Sequence, residues 1–250
     1  MRFVTVAVLL AIGAVSGGQP SAADPSACPK MSPEDPSSVE RCVRSLEGKS
    51  IERYNKKQFD LVIEACDRAI QLAPQRHFCY FMRGSARLEN RDPDGAIEDY
   101  TRVIALKPTS DEAFFNRGQA YSTKHEPERA IPDYDRAIGM QPQNATYFYN
   151  RARAYDMLGQ IDRAIQDFDQ SILLAPDRAE FRYRRGLAYR NAGDLHRAIE
   201  DYDRAIALKP DFARAYLCRG EAYEALGEEA RARQDHDRAV ELDSSLSDPG

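Results

Sequence analysis

The 250-residue chain predicts an all-α solenoid of six helix–turn–helix units. Three observations carry this prediction. The first is a near-copied phrase: AIEDYTRVIALKP (96–108) returns as AIPDYDRAIGMQP (130–142), AIQDFDQSILLAP (164–176) and AIEDYDRAIALKP (198–210), each 34 residues on. The second is that this period runs without insertion, dividing the chain into 41–74, 75–108, 109–142, 143–176, 177–210 and 211–244. A fixed period of this size belongs to a stack of units, each half-buried by its neighbours. The third is helical spacing of apolar residues inside each unit, interrupted once.

Unit 109–142 shows the local logic. Ala113, Phe114, Ala120 and Tyr121 mark a first helix. The break TKHEPE follows, with Pro127 suited to the first turn of a second helix, whose inner face is Ala130, Ile131, Tyr134, Ala137 and Ile138. Later units place Gly159, Gly193 or Gly227 in the break, and five units end in proline, from Pro74 to Pro210. Small residues (Gly84, Gly118, Ala152, Gly186, Gly220) recur opposite Ala96, Ala130, Ala164, Ala198 and Ala232. Tyrosines or phenylalanine fill between them at 100, 134, 168 and 202, a pattern that lets paired helices interlock without voids. Pro132 lies inside a second helix, where the loss of one backbone hydrogen bond predicts a bend. In the last unit Arg233 and His236 replace isoleucine and tyrosine, so its second helix reads as a polar cap.

These columns of aromatic, Gly, Tyr, Ala, Tyr, Ala and Pro at period 34 resemble the tetratricopeptide repeat proteins over residues 41–244. The first unit departs most, with Ser50 in the glycine column and Arg53 in the tyrosine column. The resemblance implies a right-handed superhelix whose first helices line a concave groove holding an extended peptide or partner helix.

The flanks read differently. Arg2, the apolar run Phe3–Val15 and the small residues before Asp24 form a secretory signal, residues 1–23, and imply export to a periplasm or the cell exterior. The thirteen-residue run is shorter than the roughly 20 residues a membrane-spanning helix needs. Residues 24–40, rich in proline, read as a linker, and 245–250 as a tail. Charged residues make up 30% and the net charge is −5, with both signs interspersed, which argues against a nucleic-acid partner.

Two sets of columns compete for function. Arg117, Arg151 and Arg185 step in time with Asp133, Asp167 and Asp201, and read as ion pairs built into each unit rather than as a ladder of anion sites. A second acid column, Asp135, Asp169 and Asp203, either shares the arginine or faces water. On the first helices, Phe81, Phe115, Tyr149 and Tyr183 point about a quarter-turn from the packing face. They pack between neighbouring helices or form a stacking ribbon for a partner. Asn116, Asn150, Arg153 and Arg184, with Gln119 nearby, complete the candidate groove. The two asparagines resemble the asparagine ladder of the O-GlcNAc transferase superhelix, while the lysines of a co-chaperone carboxylate clamp are lacking.

Catalysis and metal binding have no foothold. His77, His125, His196 and His236 fall in four different columns, and there is no nucleophile elbow or phosphate loop. Five cysteines leave at least one unpaired in an oxidising compartment. Cys66 and Cys79 flank Pro74 and are the candidate disulfide; Cys28 with Cys42 is the other pairing. The sequence thus predicts an exported, non-catalytic scaffold without cofactor that binds a protein or peptide. The alternatives are a glycan-binding module stacking sugars on the aromatic column, and a thiol-redox protein.

Overall fold

The computed structural model describes residues 28, 32 and 34–246. The signal segment 1–23 and most of the tail lie outside the described residues. Twelve α-helices follow in order: α1 (Pro36–Asn55), α2 (Phe59–Leu72), α3 (His77–Glu89), α4 (Pro93–Leu106), α5 (Asp111–Thr123), α6 (Pro127–Met140), α7 (Ala145–Met157), α8 (Ile161–Leu174), α9 (Ala179–Asn191), α10 (Leu195–Leu208), α11 (Ala213–Ala225) and α12 (Glu229–Leu242). A short 3-10 turn, Ser244–Leu246, packs on α12. No strand occurs among the described residues. Each helix pairs with its chain neighbours, giving the expected all-α solenoid of six helix pairs.

The helix ends follow from local chemistry. Asp35, Asp92, Asn144 and Asp194 accept backbone N–H groups at the starts of α1, α4, α7 and α10, satisfying donors the helix itself leaves open. Pro36, Pro93 and Pro127 occupy first-turn positions. Each within-unit turn holds one residue at positive φ, spaced 34 apart: Lys57, Arg91, His125, Gly159, Gly193 and Gly227. Glycine adopts that conformation freely, whereas the first three units force a side chain into it.

Inside a unit the interlock is tight. A Cβ on Gly118 would stand 2.8 Å from the Tyr134 ring, and one on Gly186 2.7 Å from the Tyr202 ring. Tyr100, Tyr134, Phe168 and Tyr202 are almost completely buried between Ala96, Ala130, Ala164 and Ala198 and the next unit.

The arginine column does more than close its own unit. Arg151 donates from Nε and Nη2 to both Asp167 oxygens at 2.7 Å, and from Nη1 to Asp135 of the preceding unit at 2.6 Å. Arg185 repeats this with Asp201 and Asp169, and Arg219 with Asp235 and Asp203. Arg83 joins Asp99 to Asp67. Arg117 binds Asp133 in the same fork, but meets Thr101 across the seam. The second acid column therefore pairs with the arginine of the following unit. Asp99, Asp133, Asp167, Asp201 and Asp235 are all buried.

Two expectations change. The linker ends earlier than residue 40, because Asp35 caps and Pro36 opens α1 inside it. The disulfide joins Cys28 to Cys42, and not Cys66 to Cys79. Ser32 N–H donates to Ser38 Oγ and that hydroxyl donates back to the Ser32 carbonyl, tying Ser32 to the first turn of α1. Cys66 and Cys79 are free thiols, buried in the core between α1, α2 and α3. A hydrogen bond with Cys79, reinforced by burial, pushes the Cys66 thiol up, so it stays protonated. Pro132 lies inside α6, which has the same 14 residues as α4 and α8. Pro132 and Glu128, whose carbonyl loses its helical partner, are both exposed to water. The outer face of α12, with Arg233, Gln234, Asp237 and Arg238 exposed, has the polar character of a cap.

The turn column makes a stability prediction. His125→Gly should raise stability by about 0.5–1 kcal/mol, since left-handed backbone costs a side-chain-bearing residue about 1–2 kcal/mol and glycine returns part of that as unfolded-state entropy. Urea midpoints would check it; an unchanged or lowered midpoint contradicts it.

Candidate partner-binding groove

The odd-numbered helices form the inner layer. Beyond their chain neighbours, α1 approaches α3, α3 approaches α5, α5 approaches α7, and α9 approaches α11. In a curved stack, the layer whose members crowd together lies on the concave side. The groove is therefore floored by first helices, as the resemblance implied.

The aromatic column is not an open ribbon. Phe115 packs against Tyr134 of its own unit at 5.8 Å and Tyr147 of the next at 4.6 Å between ring centroids. Tyr149 lies on Phe168 at 5.9 Å and stacks on Phe181 at 4.7 Å. Tyr183 meets Tyr202 and Phe212. Phe81 packs edge-on to Tyr100 of its own unit. Phe115, Tyr149 and Tyr183 bridge successive units, so the glycan-stacking reading loses most of the surface on which it rested.

The polar column splits as well. Asn150 is buried, against the expectation of an open groove position, and its amide donates to the Thr146 carbonyl of its own helix at 2.9 Å. The side chain turns back along its own helix, and the little surface it keeps lines the recess described next. Asn116 is half-buried. Arg184 is half-buried and bound to Glu180 at 2.9 Å. Arg153 alone of the predicted set is exposed, its guanidinium 5.8 Å from the Tyr149 ring centre.

Around Arg153 the groove deepens into a recess of about 140 Å³ between α5 and α7. Gln119, Ser122 and Thr123 form one wall, Asn150, Arg153, Ala154 and Met157 the other, and Tyr134 the floor. Ser122 and Tyr134 share a hydroxyl hydrogen bond of 3.0 Å. Burial pushes the Tyr134 phenol up to about 12, so it remains a neutral hydroxyl at physiological pH. No carboxylate lines this recess. Sequence reasoning found Gln119 and Arg153 but missed Ser122 and Thr123. Their signal was available: they sit one helical turn beyond Gln119, on the same face. A wider cleft of about 690 Å³ opens between α11 and α12, lined by the Arg219–Asp235 pair, Tyr216 and Tyr223. Among the described residues no cluster of histidine, cysteine or acidic side chains has the arrangement of a metal site.

A tetratricopeptide repeat family model matches residues 81–145 and 120–179, and a second TPR repeat model matches 186–227. Together they cover more than half of the chain. The chain belongs to the tetratricopeptide repeat family. Among solved structures it is similar to crystalline MamA, with 29% identity and a TM-score of 0.61 over 66% of this chain and 96% of that one. YrrB, described as a TPR protein with an unusual peptide-binding site, shares 20% identity and a TM-score of 0.61 over 74% of this chain and 96% of its own. The C-terminal part of a TPR repeat-containing protein from Cytophaga hutchinsonii shares 18% identity and a TM-score of 0.68, with 80% of each chain covered. The last two likenesses concern the fold alone. No curated protein sequence matches.

Tyr149 now separates packing from recognition. Tyr149→Ala should cost about 2–3 kcal/mol, somewhat below the usual figure for a fully buried aromatic, because two ring contacts are lost. Thermal unfolding would check this, and full stability in the variant would restore the ribbon reading.

Proposed function

We propose that this tetratricopeptide repeat protein is a non-catalytic scaffold whose concave groove holds an extended segment of a partner protein. The observation that carries the reading is the recess between α5 and α7, where Gln119, Thr123 and Arg153 line a hollow of the inner layer. Thr123 spends its hydroxyl proton on the Gln119 carbonyl, yet its oxygen can still accept, and both the Gln119 amide and the Arg153 guanidinium keep donors for a bound backbone or side chain. The peptide-binding site named for YrrB supports the same use of this fold.

We place the protein outside the cytoplasm. The signal-like first 23 residues motivate this, and the Cys28–Cys42 disulfide supports it, since disulfides persist in oxidising compartments.

Photo-crosslinking tests the groove reading. A photoreactive residue at 123 should capture the partner in cells, while one at exposed Gln170 on α8 should not. Equal capture at both positions, or capture only at 170, would move the partner off the groove.

A further inference from the structure

We propose that the recess between α5 and α7 seats the side-chain carboxylate of an acidic residue in the partner segment, with Arg153 as its counter-charge. The inference rests on the groove reading above and specifies what the groove reads.

On the inner helices, arginines are mostly spent: Arg83, Arg117, Arg151, Arg185 and Arg219 each grip a buried aspartate, Arg184 holds Glu180, and Arg190 holds Glu221 of the next unit. Arg153 makes no ion pair or hydrogen bond with any described residue, and its one close partner is the Tyr149 ring behind it. Stacking on a ring satisfies the guanidinium's face while leaving its edge donors open. Nor is the charge a product of repetition. The same position one unit earlier is Gln119, and one and two units later Leu187 and Glu221, so Arg153 is the only cation of its column in α5, α7, α9 and α11.

The lining fits the same ligand. Carboxylates are absent from the walls, while the Arg153 edge, the Gln119 amide and the paired hydroxyls of Ser122 and Tyr134 supply donors. A hollow of about 140 Å³ admits a carboxylate on a short stem. Met157, 45% exposed at the rim, offers apolar contact to the methylene groups of such a stem. A carboxylate meeting a guanidinium edge forms two parallel charge-assisted hydrogen bonds, which gives orientation as well as affinity.

The test uses the full chain and three labelled peptides, each twelve residues long and blocked at both ends. They share one glycine–serine–leucine background and differ only in a central glutamate, glutamine or phosphoserine. Fluorescence anisotropy should show the glutamate peptide binding about five- to tenfold more tightly than the glutamine peptide, the scale of one partly exposed charge-assisted contact. Arg153→Gln should abolish that preference without changing the circular dichroism, and Arg153→Lys should restore part of it. Equal affinity for glutamate and glutamine, or a preference that survives Arg153→Gln, overturns the proposal while leaving the groove reading intact. A tenfold preference for phosphoserine over glutamate that disappears in Arg153→Gln overturns the carboxylate in favour of phosphate. Binding of none of the three at millimolar concentration counts against the groove reading itself.

Discussion

An arginine that grips a buried aspartate of its own unit, and in four of five cases an aspartate of the preceding unit as well, is the interaction on which the rest of this structure depends. Its Nε and Nη2 close the fork on a buried aspartate 16 residues ahead, and its Nη1 reaches an aspartate 16 residues behind. The first contact fixes how two helices of a unit cross, and the second fixes how that unit sits on its predecessor. Burying the carboxylate is costly: desolvation raises the Asp99 carboxyl above its ordinary range, although Arg83 and Arg87 both bind it. A pair of this kind adds little net stability over apolar packing. What it specifies is register, since a slip by one turn would leave a buried aspartate without its cation.

Register, in turn, sets the groove. The aromatic bridges Phe115–Tyr147 and Tyr149–Phe181 form only when successive first helices sit at one fixed offset. Those rings occupy the flank of the inner layer and leave polar side chains one turn further on to face the concavity. Arg153 is presented because Tyr149 is locked beneath it, and Tyr149 is locked because Arg151 and Asp167 hold its unit closed. Neighbouring residues of α7 thus divide the labour: 149 and 151 build the seam, and 153 meets the solvent.

Much of this was legible in the sequence. The 34-residue period and its recurring turn position locate the helices, because the turn is a local backbone requirement repeated six times, and first-turn prolines reinforce it at three helices. The ion pairs within a unit were legible for the same reason, at a spacing of 16 from Arg151 to Asp167. The bridge back to Asp135 has the same spacing in the opposite direction and depends on inter-unit rotation, which no single unit encodes. Orientation of the rim was less legible. Whether Tyr149 is open or covered depends on Phe181, 32 residues away, and the burial of Asn150 depends on its amide turning back to the Thr146 carbonyl. The cysteines escaped for a different reason. Their places on either side of the Pro74 turn favoured Cys66 with Cys79, whereas the bond joins Cys42 of α1 to Cys28 ahead of that helix.

The most direct test of the shared arginine is a double-mutant cycle across a seam, using Arg185→Met, Asp169→Ala and the two combined, with stability read from urea unfolding. Arg185 and Asp169 lie in different units and touch only through the 2.7 Å bond from Nη1. The account predicts a coupling energy of at least about 1 kcal/mol, as for residues that share a network. Effects that add to within about 0.3 kcal/mol would show that the seam holds without the bridge, and the central claim would fail.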